Sequence, residues 1–248
     1  MITFACYNIK GGVGKTATTV NLAYLAALEG YRTLVWDLDP QAAASFYFRI
    51  KPKVKGGGAA LIKRKTEVEA AIKGTDYDNL DLLPADFSYR NLDLVLENSK
   101  NPAKRLRKVL FTVREDYDYV FLDCAPSISL VSESVFRAAD VLLVPTIPTT
   151  LSLRTLEQLS RFLHRQGFER TRLMPFFSMV DRRKHLHRLI TEHPPHLPCE
   201  YLRTEIPYAS EVERMGVARA ALHAYAPRSR AATAYEFLWQ EIKGRLES

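Results

Sequence analysis

The most constraining feature of the sequence is a glycine-rich segment between an apolar run and a helical pattern. Residues 2–7 predict a buried strand, residues 8–16 read N-I-K-G-G-V-G-K-T, and residues 17–28 have the apolar spacing of a helix. A loop that wraps a polyphosphate needs backbone N–H groups that point inward, and glycines leave room for that approach. The helix that follows offers its positive N-terminal end to the same phosphates. The segment therefore predicts a phosphate-binding loop.

Two lysines and a threonine supply the charged and metal-binding groups of this loop. Lys15 is placed to reach the β- and γ-phosphates, and the Thr16 hydroxyl is placed to ligate Mg²⁺. The ordinary pattern G-x-x-x-x-G-K-[ST] is not met, because Ile9 stands at its first glycine position. A second lysine, Lys10, lies inside the loop instead.

Short apolar runs alternate with helical patterns along the rest of the chain. This alternation is typical of a mostly parallel sheet that helices cover on both faces, with right-handed crossovers between strands. We therefore expect one α/β domain over residues 1–248, with its ligands beyond the carboxyl ends of the strands. Further strands are predicted at residues 33–36, 119–122, 141–144 and 173–180, and further helices at 151–163 and 232–246.

Two of these strands end in acidic residues. Asp37 and Asp39 are two apart, so on an extended chain they point to the same side, and Asp123 ends another apolar run. Adjacent like charges are costly unless a cation or hydrogen-bond donors lie nearby. A magnesium ion and an attacking water would account for them, whereas a solvated turn is the simpler alternative for an Asp-x-Asp pair.

Taken together, these segments resemble the ParA family within the ParA/MinD superfamily of deviant Walker A ATPases. The loop K-G-G-V-G-K-T resembles the deviant Walker A box, D-L-D-P-Q from Asp37 resembles the second box, and Asp123 resembles the Walker B aspartate. The resemblance implies a single P-loop NTPase domain that uses ATP and Mg²⁺. It implies catalytic roles for Lys10, Lys15 and Asp39. It implies nucleotide contacts from Lys10, Gly11, Gly12, Val13, Gly14, Lys15, Thr16, Ala17, Asp181 and Pro207. It implies magnesium ligation, partly through water, by Thr16, Asp37 and Asp123.

The resemblance also implies partners. In this family the extra lysine, here Lys10, contacts the nucleotide of a second subunit, so an ATP-dependent homodimer is expected. Relatives bind double-stranded DNA without sequence preference through basic residues near this chain's Arg182, Arg183, Lys184 and Arg188. The chain departs from the family after Pro207, where relatives often carry further arginines and this sequence reads Y-A-S-E. Part of the usual DNA surface is therefore altered.

The charge of the chain is consistent with a polyanionic partner. The net charge is +7 and the isoelectric point is near 9.3, which favours nucleic acid or an anionic membrane surface over neutral partners, although solubility alone is an alternative. Residues 49–65 hold seven basic side chains and no acid, and Gly56-Gly57-Gly58 predicts a flexible loop there. Three widely spaced cysteines and the absence of a signal-peptide pattern fit a cytoplasmic protein.

These observations lead to one preferred function and two alternatives. The preferred function is a nucleoid-associated positioning ATPase that a ParB-like or cargo-associated activator stimulates, the cargo being a plasmid, a chromosome or a protein body. A MinD-like membrane-associated regulator is disfavoured, because the sequence stops near the predicted 232–246 helix without an added basic amphipathic tail, so no membrane partner is expected. A metabolic enzyme on the same fold is the other alternative, because a fold alone does not specify function.

Overall fold

Seven strands form one sheet in the computed structural model, which describes residues 1–63, 67–168 and 171–247. The strands are β1 (Ile2–Cys6), β2 (Thr33–Asp37), β3 (Lys73–Gly74), β4 (Leu80–Leu83), β5 (Tyr119–Asp123), β6 (Val141–Thr146) and β7 (Arg172–Phe177). Their order across the sheet is β3-β4-β2-β5-β1-β6-β7, and only the β3–β4 pair is antiparallel within the described chain. The predicted mostly parallel α/β sheet is confirmed.

Helices connect the strands and cover the sheet. They are α1 (Lys15–Leu28), α2 (Ala43–Tyr47), α3 (Gly57–Ile62), α4 (Val68–Ala71), α5 (Leu92–Glu97), α6 (Arg105–Thr112), α7 (Leu130–Ala138), α8 (Thr150–Arg165), α9 (His185–Glu192), α10 (Ser210–Ala218), α11 (Leu222–Tyr225) and α12 (Arg230–Glu247). Two short 3₁₀ helices, Phe87–Asn91 and Pro102–Lys104, precede α5 and α6.

The sheet is buried on both faces, and its central strands are apolar at most positions. In β1, Ala5 packs into one hydrophobic cluster, whereas Phe4 packs into a second cluster on the opposite face. Alternate residues of β5 divide in the same way, since Val120 belongs to the first cluster and Phe121 to the second. Side chains that alternate between two cores explain why these strands read as continuous apolar runs rather than as alternating ones.

The predicted strands and helices are confirmed, with ends that move by a few residues. The longest shift is in β7, which ends at Phe177 although its pattern continues to residue 180. Val180 instead forms an isolated bridge with Pro207 and so holds a separate loop beside the sheet. The strands β3 and β4 were not predicted, because they have only two and four residues and show no clear periodicity.

The three glycines of residues 56–58 do not form the predicted flexible loop. Gly56 and Gly57 have φ angles of 77° and 67°, which favour glycine, and Gly57 is the first residue of α3. Gly58 is buried, and a Cβ built on it would lie 2.7 Å from a Tyr89 ring carbon and 2.8 Å from a Leu92 methyl carbon. The glycines therefore allow a close contact between α3 and the segment that leads into α5. Arg64 and Lys65, which end the basic segment, lie outside the described residues.

Across the described ranges, no helix has both the length and the apolar character that crossing a bilayer requires. The parallel strands bring their carboxyl ends to one edge, where the loops after β1, β2, β5 and β6 meet. The predicted nucleotide and magnesium residues Lys10, Lys15, Asp37, Asp39 and Asp123 lie at or just beyond this edge.

Two glycine-to-alanine variants, one in α3 and a control in α12, should change the free energy of unfolding in opposite directions. Gly58→Ala should lower the free energy of unfolding by about 1–3 kcal/mol, because the new methyl overpacks the contact with Tyr89 and Leu92. Gly244→Ala in α12 should raise it by about 0.5–1 kcal/mol, because the site is open and alanine favours the helix. Urea unfolding of both variants measures the difference, and equal stabilisation by both would contradict the contact.

Candidate functional site

The glycine-rich loop has the backbone geometry that its sequence predicts. Gly12 and Gly14 have φ angles of 70° and 95°, in the left-handed region that favours glycine. A Cβ on Gly14 would also come within 3.0 Å of the Ser178 hydroxyl oxygen, whereas one on Gly12 would meet nothing within 4 Å. Gly12 is therefore required by its backbone angle alone, and Gly14 by both angle and space.

A buried asparagine fixes the start of this loop. Asn8 is 1% exposed, and its side-chain amide donates to the Pro145 carbonyl at 2.9 Å. Its side-chain oxygen accepts from the Lys10 backbone N–H, also at 2.9 Å. Asn8 thus connects the loop to the end of β6. We did not assign it a role from sequence, although a polar residue directly after a buried strand is a usable signal.

Both loop lysines are bonded within the chain. Lys15 is only 7% exposed, and its ammonium donates to the Lys10 carbonyl at 3.0 Å, across the loop. The Lys10 ammonium reaches the Ser152 hydroxyl oxygen, 3.4 Å away at the start of α8. Each ammonium is held by a neutral oxygen, so a phosphate oxygen would be a stronger partner for both.

Asp123 is the most perturbed acid of the site. It is fully buried, and within the described residues neither of its carboxylate oxygens accepts a well-formed hydrogen bond. Burial, and next the charge of Asp37, raise its pKa well above the usual range, while the Thr16 hydroxyl and the Lys15 ammonium oppose that shift. A divalent cation fits here, because Mg²⁺ prefers hard oxygen ligands and would compensate a buried charge that lacks partners.

Asp37 lies beside Asp123 on the neighbouring strand, but its carboxylate is hydrogen-bonded. The two acids are partners in the β2–β5 register, and burial raises the pKa of Asp37 to about 6. Its carboxylate accepts from the Ser45 backbone N–H at 2.8 Å, the Ser45 hydroxyl at 2.7 Å and the Asp39 N–H at 3.2 Å. Asp37 therefore holds α2 and the Asp39 loop in place. Ser45 is a site residue that sequence reasoning missed, because it lies eight residues along the chain.

A cleft of about 420 Å³ connects the phosphate loop with later segments of the chain. Of the predicted residues, it brings together Gly11, Gly12, Gly14, Lys15, Thr16, Ala17, Asp39 and Pro207. Asp39 is half-buried at its wall, and its carboxylate accepts from the Gln41 N–H at 2.9 Å. Lys10 and the buried Val13 lie outside the lining, and Asp37 and Asp123 lie beneath it. Tyr47, Ser178, Tyr208 and Tyr235 also line the cleft and were not predicted.

Asp181 lies in a neighbouring cavity of about 1060 Å³ that shares Pro207 and Tyr208 with the cleft. Its two carboxylate oxygens accept from the Arg183 guanidinium at 2.9 Å each, and these bonds lower its pKa to about 2. Arg182 pairs with Glu205 at 3.1 Å. The structure therefore shows two of the four predicted DNA-binding cations already paired with acids.

The other two cations of this patch carry no ion pair in the part of the chain that the structure describes. Lys184 precedes α9 and Arg188 lies within it, and both are exposed. Between them His187 is buried, and its Nδ1 accepts from the Asp181 backbone N–H at 3.1 Å. This bond holds the start of α9 against the 181–184 loop.

The two buried acids predict how the metal-free protein responds to pH. Both have a higher pKa folded than unfolded, so their contribution to stability is complete at low pH and is lost as the pH rises through the folded values. Asp123→Asn should therefore gain stability relative to the wild type as the pH rises above about 4, the pKa of an unfolded aspartate. Urea unfolding in EDTA at several pH values measures this gain.

Asp118→Asn is the matched control for that experiment. Bonds from Arg32 lower the pKa of the half-buried Asp118, so its contribution is present at neutral pH and is lost as the pH falls. This variant should lose stability relative to the wild type as the pH rises, which is the opposite trend. A gain from Asp123→Asn that does not change with pH would contradict the raised pKa.

Sequence comparisons identify a family and two relatives that this chain resembles. Residues 1–171 match the family described as an AAA domain. The chain is 31% identical over 244 residues to the sporulation initiation inhibitor protein Soj of Bacillus subtilis, covering 96% of both chains. It is 34% identical over 199 residues to the chromosome partitioning protein ParA of Caulobacter vibrioides, covering 73% of this chain and 71% of that protein.

A solved structure agrees with the fold. Cobyrinic acid a,c-diamide synthase from Mycobacterium smegmatis, with bound ADP and magnesium, superposes with a TM-score of 0.84 and 24% identity, covering 100% of this chain and 96% of that one. At this identity the likeness establishes the fold alone. Family membership follows from the two sequence relatives and the matched domain. The chain belongs to the ParA family of P-loop ATPases.

Proposed function

We propose that this protein is a positioning ATPase that binds Mg²⁺-ATP between two copies of itself and, in that state, binds double-stranded DNA without sequence preference. A ParB-like or cargo-bound activator would stimulate hydrolysis, and hydrolysis would release the protein from DNA. The observation that carries the proposal is the buried Asp123 carboxylate, which accepts no well-formed hydrogen bond from the described residues and lies next to a glycine loop that presents Lys15. The relative named as a chromosome partitioning protein favours DNA as the cargo.

The phosphate loop and the acids have different roles in hydrolysis. Lys15 and the loop N–H groups would hold the β- and γ-phosphates, and Thr16 and Asp123 would hold Mg²⁺, with a supporting role for Asp37. When bound, the metal neutralises charge that develops on the phosphate oxygens. Asp39, at the wall of the cleft, would orient the attacking water, and Pro207 and Asp181, which line the cleft and the neighbouring cavity, would contact the base.

Lys10 acts between subunits in this proposal. Its ammonium contacts the Ser152 hydroxyl at 3.4 Å, a weak neutral bond that a partner's nucleotide phosphate would replace. The exposed Ile128, in the loop after β5, and the exposed Leu151, in the first turn of α8, lie at the same edge of the sheet, which gives this edge apolar surface for a second copy. Dimerisation and hydrolysis are thereby coupled through one side chain.

DNA binding in this proposal uses the patch around α9. Arg182 and Arg183 are paired with Glu205 and Asp181, which lowers the charge that they offer to a phosphate. Lys184 and Arg188 have no such partners among the described residues, and so they would carry most of the contact. A dimer presents two patches to one duplex, and their binding energies combine through a high effective concentration.

Two lysine variants separate nucleotide binding from the contact between subunits. Lys15→Ala should abolish ATP binding, because it removes the charge on the β- and γ-phosphates. Lys10→Ala should keep nucleotide binding and lose most turnover, because the missing contact is to the partner's nucleotide. Titration with a fluorescent ATP analogue and a phosphate-release assay measure the two effects. Full turnover by Lys10→Ala would remove the sandwich dimer, and tight ATP binding by Lys15→Ala would remove the phosphate-loop assignment.

Charge-reversal variants test the DNA contact. Arg188→Glu should weaken binding equally on two unrelated duplexes and lower the log–log salt slope by about 1, because a phosphate contact carries no base information. Arg183→Glu should weaken it less, since Arg183 already neutralises Asp181. Arg107→Glu, beside Met1 and Thr3 at the opposite edge of the sheet, is the control of equal charge and should have little effect. Mobility shifts with ATP and with ADP measure binding, and wild-type protein that ignores DNA at low salt would overturn the DNA-binding part.

A further inference from the structure

A basic groove lies on the outer side of α2, away from the phosphate loop. Its volume is about 350 Å³, and its lining includes the cations Arg49, Lys51 and Arg219 together with Gln41, Phe46 and Pro52. No acidic side chain is among the described residues that line it. We call it the Arg49–Arg219 groove. Such a concentration of positive charge in a concave surface attracts anions.

Hydrogen bonds hold the two arginines of the groove in place. An Arg49 Nη2 donates to the Ala218 carbonyl at 3.2 Å, and the Arg219 Nε donates to the Phe46 carbonyl at 3.0 Å. The Arg219 guanidinium also lies 4.5 Å from the centre of the Phe46 ring. Each bond uses only part of a guanidinium that has five N–H donors, so both cations are positioned and keep donors for a ligand.

Competition from acids at this groove is weak. Arg49 pairs with Asp76 at 3.3 Å, but the two side chains are 52% and 64% exposed, and exposed pairs of this kind contribute little. Lys51 is exposed and makes no ion pair within the described ranges. From residue 49 to residue 63 the sequence contains no acid, so basic charge continues beyond the groove.

Helix α10 connects the groove to the cavity that Arg182 and Arg183 line. Arg219 follows the last residue of α10, whereas Tyr208, just before α10, lines the cavity that holds Arg182 and Arg183. A helix of nine residues is about 13 Å long at 1.5 Å per residue. This distance is comparable to the major-groove width of B-DNA, about 12 Å, which separates two rows of phosphates.

We propose that the Arg49–Arg219 groove is a second contact for the phosphate backbone of duplex DNA, engaged together with the α9 patch. The inference rests on the proposed DNA binding and adds to it a surface that uses the basic 49–63 segment. One subunit would then bind phosphates at both ends of α10, which fixes the orientation of the duplex on the protein and supplies cations that the acid-paired Arg182 and Arg183 do not.

The first test compares two exposed lysines of equal charge. Lys51→Glu should weaken ATP-dependent binding to two unrelated duplexes equally and lower the log–log salt slope by about 1. Lys108→Glu, in α6, changes the net charge by the same amount and should leave the slope at the wild-type value. Titrations at several salt concentrations measure the slopes. An equal effect of the two variants would mean that only net charge matters and would overturn the proposal.

The second test locates the contact on the wild-type protein. Lysines are acetylated with an N-hydroxysuccinimide ester, with ATP present and with or without DNA, and labelling of Lys51 and Lys108 is compared by peptide mass spectrometry. DNA should reduce labelling of Lys51 several-fold and leave Lys108 unchanged. Inorganic phosphate that protects Lys51 as well as DNA does would overturn the assignment to a duplex. DNA binding with an unprotected Lys51 overturns this inference alone, whereas wild-type protein that does not bind DNA removes the DNA-binding proposal and this inference together.

Discussion

The whole site depends on two carboxylates that are buried side by side. Asp37 and Asp123 are partners in the register of β2 and β5, both are fully buried, and their charges oppose each other. Such a pair is tolerable only where donors and cations surround it. Ser45 and the Asp39 N–H provide donors for Asp37, while Asp123 has the nearby Lys15 and otherwise needs a cation. The burial of this carboxylate pair is therefore unfavourable in the metal-free protein, and bound Mg²⁺ would compensate the negative charge.

That arrangement connects the site to the rest of the fold through a few hydrogen bonds. Ser45 lies in α2, and its hydroxyl also accepts from the Ala85 N–H at 3.0 Å, so the end of β4 helps to position it. Asn8 connects the phosphate loop to the end of β6 in a similar way. The Ser45–Ala85 and Asn8–Pro145 bonds join segments that are far apart in sequence, and both are buried.

The basic surfaces differ in how much of their charge is available. Arg183 and Arg182 are held by acids beside the cavity at Pro207, whereas Arg219 is held by the Phe46 carbonyl, and Arg49 by the Ala218 carbonyl and a pair with the exposed Asp76. A carbonyl positions a guanidinium without cancelling its charge. The Arg49–Arg219 groove is therefore well suited to phosphates. An excess of arginine and lysine in the sequence does not reveal this distinction.

The sequence by itself determined the α/β class, the main strands and helices, and the phosphate loop, because these depend on local periodicity and on glycine backbone angles at Gly12 and Gly14. It also placed Asp39 and Lys15 correctly at one edge, since parallel strands share a carboxyl end. Only the tertiary structure decided which charges are paired. The pair of Arg182 with Glu205 and the close packing of Gly58 against Tyr89 and Leu92 join segments that are distant in sequence, and no local pattern encodes them.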